Sequence, residues 1–156
     1  MSIRRDASIA MLACLVALVT PALAGATTLP AGFSQTTAIS GLNRPMDVEI
    51  APNGRVFVAE RSGIVKTYTN ITDTTATVAA DLRTQVHNFS ARGLISLAVD
   101  PAFPANPYIY AYYNLDAKIG GTPPLYGTAG ATNDSCAKAP GGKDENCIAA
   151  VRVSRL

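Results

Sequence analysis

Residues 91–114 read ARGLISLAVDPAFPANPYIYAYYN. Two apolar runs flank a proline-rich corner. The first, GLISLAV (93–99), is apolar on both alternating faces, as in a strand packed between neighbouring sheets. The second, YIYAYYN (108–114), is aromatic and β-branched, which suits a second strand. DPAFPANP (100–107) breaks the chain between them, because proline fixes φ and lacks a backbone donor.

The same plan precedes this stretch. TTAIS (36–40) alternates weakly and leads into GLNRP (41–45). MDVEI (46–50) alternates apolar and polar residues with period two. APNG (51–54) is a turn signal, since Pro presets φ and Asn-Gly accepts positive φ. RVFVAE (55–60) and IVKTYT (64–69) read as strands around the turn RSG (61–63). NITDT (70–74) is a loop, and ATVAADL (76–82) completes a group of four strands. After the second group's first two strands comes an insertion, 115–147, rich in Gly, Pro, Asn and Asp. IAAVRVSRL (148–156) then supplies a third strand. No helical periodicity is visible beyond the N-terminus.

The first strands of the two groups lie roughly 47 residues apart, the repeat length of a propeller blade. The expected fold is therefore all-β: about two four-stranded antiparallel blades of an incomplete β-propeller. A β-sandwich is the alternative. A propeller needs about 4–8 blades, and a blade shields its faces only against its neighbours. This reading expects the N-terminal part of a longer protein, or a truncated reading frame, with apolar sheet faces left open.

The chain has 156 residues, 48% hydrophobic and 15% charged, with a net charge of +2. That charge is too small to draw nucleic acid strongly. The N-terminus has the form of a signal peptide. MSIRR is a basic n-region, and the apolar run that follows ends in Ala22-Leu23-Ala24, an A-x-A cleavage signal. Arg4-Arg5 fits an ordinary n-region or a twin-arginine signal. The apolar core is shorter than the ~20 residues a membrane span needs, so cleavage after Ala24 is expected rather than a retained anchor. The domains are then a signal peptide, 1–24, and a secreted or periplasmic domain, 25–156. Export implies an oxidising compartment. Cys136 and Cys147, the cysteines that remain, can form one intramolecular disulfide worth on the order of 3 kcal/mol. Two cysteines without a nearby histidine are too few for zinc.

Three blocks resemble a known family: GLNRPMDVEIAPNGRVFVAERSGIVKTY (41–68), DLRTQVHNFSARGLISLAVDPAFPANPYIYAYY (81–113), and the Cys136–Cys147 pair followed by VRVSRL (151–156). They look like the N-terminal part of the glucose/sorbosone dehydrogenases. The resemblance implies a secreted six-bladed propeller whose sugar-oxidising members use pyrroloquinoline quinone (PQQ) and calcium. It implies a base that takes a proton from the anomeric hydroxyl while hydride passes to the quinone. The substrate would be a small sugar, with the cofactor clamp in later blades, so this stretch alone is not expected to hold PQQ.

The resemblance also nominates residues. Asp100, in LAVDP, matches the position read as the family's base; otherwise it initiates a turn with Pro101. Arg61, in VAERSG, matches a substrate-site glutamine and has the forked donors to hold an anion; otherwise it is a turn cation. Glu60 beside it pairs with a neighbouring cation. Gly93 keeps a place where backbones come close, and Ser96 replaces the family's second glycine. His87, the sole histidine, and Arg92 precede a strand expected to end near the channel. His87 is a second catalytic candidate or a packed loop residue. Arg92 is a binding residue or a strand-edge cation. The insertion is either a binding loop or a surface segment stapled by its disulfide. Three functions stay open: a PQQ-dependent sugar dehydrogenase, a propeller that binds carbohydrate or protein without turnover, and a truncated inactive product.

Overall fold

The computed structural model describes residues 28–136 and 147–156. The expected signal peptide, 1–24, lies outside the described residues. Two compact units are distinguished, Met1–Gln35 and Thr36–Leu156. In the first, a turn at Ala31–Gly32 is closed by the Phe33 N–H on the Pro30 carbonyl at 3.1 Å. The second holds all the strands. No helix among the described residues is long and apolar enough to cross a membrane.

The strands are β1 (Pro45–Ile50), β2 (Val56–Glu60), β3 (Ile64–Tyr68), β4 (Thr77–Asp81), β5 (Leu94–Val99), β6 (Ile109–Leu115) and β7 (Ala150–Arg155). They form a four-stranded sheet in the order β1-β2-β3-β4 and a three-stranded sheet in the order β5-β6-β7. Every named pairing is antiparallel between sequence neighbours. This is the fold the repeat implied: two successive meanders of an incomplete propeller. TTAIS (36–40) is not a strand. Its Ile39, with Leu42, instead packs on Val56, Val58 and Tyr68. Weak alternation without a pairing partner was enough to place an apolar residue, and too little to build a ladder.

Period-two alternation decides which side chains meet between the sheets. Phe57, Ala59 and Val65 of the first sheet share a core with Leu94, Leu97, Ala111, Tyr113 and Leu115 of the second. Phe57 also meets Phe103 edge to face, with ring centroids 5.7 Å apart. Tyr113 is fully buried, and its hydroxyl contacts Gln85 Oε1 at 3.0 Å and Ser154 Oγ at 2.9 Å. That satisfies the polar end of a core aromatic.

The opposite faces are only partly covered: Ile39 and Leu42 lie over Val56, Val58 and Tyr68, and the edges beyond them are open. Met46, Val48 and Ile50 on β1 are exposed, as are Tyr112 on β6 and Val151 and Val153 on β7. Val153 pairs with Tyr112, so these last side chains form one continuous apolar face. The expected open sheet faces are thus present.

The two sheets are joined by hydrogen bonds from the first and middle residues of β5 to the β2–β3 turn and to β1. The Leu94 N–H donates to the Arg61 carbonyl at 2.9 Å, and the Leu97 N–H to Asp47 Oδ2 at 2.7 Å. Arg61 Nη1 donates to the Ser90 carbonyl at 2.6 Å.

Candidate functional site

At that same end the β2–β3 turn, the 83–93 connection and the insertion converge. Glu60 is buried and accepts from Lys66 Nζ at 2.6 Å and from the Asn43 N–H at 2.8 Å. The cation expected beside Glu60 is therefore Lys66. Next in sequence, Arg61 ties three segments together. Its N–H donates to the Arg44 carbonyl at 3.0 Å, its carbonyl accepts from Leu94, and its guanidinium reaches Ser90. Its Nε is buried without a hydrogen-bond partner.

Gly93 explains how the segments come so close. A Cβ there would collide with Cγ and the carbonyl oxygen of Arg61. The residues that contact Arg61 carry strain: Arg44 (φ 52°) and Ser90 (φ 54°) are left-handed without being glycine. Each costs about 1–2 kcal/mol, and such strain gathers at functional sites.

A cavity of about 350 Å³ opens here, lined by Asn43, Arg44, Ser62, Asn88, Thr132 and Asn133. Its lining side chains are all polar. Asn88 is 2% exposed; its N–H donates to Asp134 Oδ2 at 2.8 Å and its amide contacts the Thr132 carbonyl. Asn88 Oδ1 is buried without a partner. The Asp134 N–H donates back to the Asn88 carbonyl at 3.1 Å, closing a reciprocal pair.

The insertion is pinned at several points. Asp116 and Asp134 are both 1% exposed. Asp116 accepts the Tyr126 N–H at 3.1 and 3.2 Å, and Gly130 donates to Thr84 Oγ1 at 3.0 Å. Burial pushes the Asp116 carboxyl up to about 6, helped by the Asp134 charge and opposed by the Tyr126 and Leu125 N–H groups. Burial raises Asp134 as well, against the Asn88 N–H.

His87 is fully buried behind this wall. Its Nδ1 lies 3.3 Å from Arg92 Nη1 and its Nε2 3.4 Å from Cys136 Sγ. Arginine only donates, so Nδ1 is the acceptor and Nε2 carries the proton. Burial first, and the Arg92 charge second, lower the His87 pKa to about 4. Arg92 Nη1 also donates to the Cys147 carbonyl at 2.7 Å. Cys136 and Cys147 form the expected disulfide, with Cα atoms 5.7 Å apart. The expectation that no histidine lies near the cysteines is corrected: the fold carries His87 to them across 49 positions.

The structure thus brings Arg61, Arg92 and His87 to one end of the sheets and leaves Asp100 at the other. Asp100 follows the last residue of β5, six positions from Leu94 and roughly 20 Å along an extended strand. There Oδ1 accepts the Ala102 N–H at 2.9 Å and faces Asn106 Nδ2 at 3.4 Å. The Asp100 carbonyl closes the corner on the Phe103 N–H at 2.9 Å. The carboxylate is engaged in the turn. Beside that corner is an apolar cleft of about 490 Å³ that includes Phe57, Phe103, Pro107 and Ile109.

Asn88, Asp116 and Asp134 were not among the sequence candidates. Their partners lie 46 positions away for Asn88 and Asp134, and 10 for Asp116 and Tyr126. No spacing rule links such pairs in the sequence.

The Glucose / Sorbosone dehydrogenase family model matches residues 42–136, a span that runs from the first strand through the cavity wall to the disulfide. The chain belongs to the glucose/sorbosone dehydrogenase family. Similar solved structures include the PQQ-bound form of an aldose sugar dehydrogenase from Streptomyces coelicolor, 21% identical (TM-score 0.48), matched over 53% of this chain and 25% of that one. A putative oxidoreductase (glucose dehydrogenase) from Thermus thermophilus is 24% identical (TM-score 0.45), over 67% and 32%. Another glucose dehydrogenase is 21% identical (TM-score 0.40), over 53% and 24%. The chain spans about a quarter to a third of the length of these structures. No curated protein sequence matches it.

Proposed function

We propose that the full-length protein is an exported sugar dehydrogenase that passes hydride to PQQ. In this reading the chain supplies its first blades and one wall of a sugar-facing cavity. Family membership supports the reaction class. The placement rests on the polar cavity of Asn43, Arg44, Ser62, Asn88, Thr132 and Asn133. Amide and hydroxyl groups both donate and accept, which suits the hydroxyls of a sugar. Export is proposed from the apolar leader together with the disulfide.

The residues present do not fit a whole PQQ. A flat tricarboxylate calls for several free cations and a platform for its rings. Among the described residues, Arg44 is the one charged group lining the cavity, and no aromatic side chain lines it. Arg61 and Arg92 already engage carbonyl groups. Calcium takes 6–8 oxygen ligands. The three-residue ligand cluster among the described residues is His87, Cys136 and Cys147, which offers imidazole and sulfur.

Sugar oxidation needs a base within reach of the reacting hydroxyl. Asp100 sits at the far end, engaged in its turn, and His87 is buried with Nδ1 against Arg92. We therefore assign binding and orientation to this part of the molecule, through Arg44 and Asn88, and proton abstraction to neither Asp100 nor His87. The same geometry supports a second reading, a propeller that binds carbohydrate without oxidising it.

Dye-linked oxidation of aldoses by the full-length protein, loaded with PQQ and calcium, separates the two. Turnover is expected. Arg44→Ala should raise KM about tenfold, the loss of one charged contact of about 1.4 kcal/mol. Asp100→Asn should leave kcat within about twofold, because the amide keeps the turn's acceptor. Calorimetric sugar binding by a folded, loaded protein that turns nothing over would establish the second reading.

A further inference from the structure

A ring nitrogen of His87 and the sulfurs of Cys136 and Cys147 lie within 4.8 Å of one another, with Nε2 3.4 Å from the Cys136 sulfur. The corner is secluded. His87 is fully buried, Cys147 is 4% exposed, Cys136 is half-buried at the edge, and the Tyr126 ring stacks at a tilt over the imidazole, 5.0 Å between centroids. Tyr126 is held in turn by Asp116 and by the Ile148 N–H on its hydroxyl at 2.9 Å. As a disulfide the two sulfurs are poor metal ligands, because the thiolate is the ligand form of cysteine.

We propose that reduction of the Cys136–Cys147 bond converts this corner into a three-ligand site for a soft metal ion, Cu(I), bound by His87 Nε2 and both sulfurs. A dithiol reductant supplies two electrons and is oxidised to its own disulfide. The Cys136–Cys147 S–S bond breaks and two thiols form. Metal binding then releases both thiol protons to solvent. Thiolates select Cu(I) and zinc over hard cations.

Charge decides between those two. Two thiolates, the Arg92 guanidinium and Cu(I) sum to zero, whereas a divalent ion leaves a net positive charge in a buried corner. Coordination through Nε2 moves the imidazole proton to Nδ1. Arg92 Nη1 then gives up its 3.3 Å approach to His87 and keeps the shorter bond, 2.7 Å, to the Cys147 carbonyl. The 5.7 Å between the Cα atoms leaves room for the sulfurs to swing apart to the ~3.8 Å that two ~2.3 Å metal–sulfur bonds require.

The test uses the full-length protein, reduced anaerobically with a phosphine and titrated against Cu(I) buffered by bathocuproine disulfonate. Reduced wild type should take up one Cu(I) in this corner, at least 100-fold more tightly than Cys136→Ser or Cys147→Ser. The oxidised protein should take up none there. X-ray absorption should show two sulfur neighbours and one nitrogen, and His87→Gln should lose the nitrogen and about tenfold in affinity. The serine variants and reduced wild type all lack the disulfide, so any loss of fold from its absence is common to both arms. The proposal is overturned if reduced wild type binds no more tightly than Cys136→Ser, if sulfur appears without nitrogen, or if urea-unfolded protein binds equally well.

Discussion

At the scale of single residues, Asp116 and His87 pull stability in opposite directions as pH changes, with Asp134 acting in the same sense as Asp116. The Asp116 carboxyl titrates near 6 in the fold, above its ordinary 3.8. Its contribution is full below about 4 and is lost as pH rises through 6. His87 titrates near 4, below its ordinary 6.5. Its contribution is full above about 6.5 and is lost as pH falls toward 4. Between those values the two slopes offset each other. Asp116→Asn removes one slope, on the order of 2 kcal/mol. Urea melts of the variant should therefore show a steeper loss on acidification from pH 6.5 to 4, and no loss relative to wild type at pH 8. A variant that keeps the wild-type profile would show that Asp116 is ionised throughout. Neither slope is legible in the sequence. Asp116 is one of several acids in a polar stretch, and only the folded insertion hides it from water. The disulfide was legible because the two cysteines had no other partner, whereas the histidine beside it was not.

At the scale of elements, alternation and turn chemistry determined almost everything. MDVEI, RVFVAE and IVKTYT became strands within a residue or two of their expected limits, because alternation in the first and β-branched and aromatic content in the other two meet partners across short turns. Gly93 is the position on which the approach of the two sheets depends. Gly93→Ala places a methyl against Arg61 Cγ and its carbonyl oxygen, and should cost about 2–4 kcal/mol in urea unfolding. Gly54, in the β1–β2 turn, has positive φ (85°) but nothing within 4 Å of an added Cβ, so Gly54→Ala should cost only about 1 kcal/mol. Equal losses at the two positions would remove the close approach as the cause. Asp47→Ala should cost about 1–3 kcal/mol, since it leaves the Leu97 N–H without its charged acceptor. Asp100 shows what an element's end leaves open in the sequence: the residue type suits both a base and a turn, and only the fold shows which end of the sheet it occupies.

At the scale of the whole molecule, the open apolar faces dominate behaviour. Met46, Val48 and Ile50 lie on one sheet, and Tyr112, Val151 and Val153 on the other. Residues 25–156 produced alone should bind an environment-sensitive apolar dye and self-associate at micromolar concentration. Val48→Lys combined with Val153→Lys should lower dye binding several-fold while leaving the core, and so the melting temperature of the monomer, nearly unchanged. A monomeric, dye-free wild-type fragment would contradict the reading that these faces pack against further sheets. The incompleteness of the blade set was legible from strand count alone. Which end of the sheets carries the cavity was not, because it is built by the insertion folding back on the 83–93 connection.

The backbone of Arg61 is bonded to one sheet through its nitrogen and to the other through its oxygen. The Arg61 guanidinium meets Ser90 just before β5, and the Asp47 carboxylate takes the Leu97 N–H at mid-strand. The pair of sheets is therefore bound like a book, with a hydrogen-bonded spine at the polar cavity and, at the proline corner, pages held by apolar contact such as Phe57 on Phe103. Thermal separation should start beside Asp100 and reach the Arg61 vertex last, an order that amide hydrogen exchange would read.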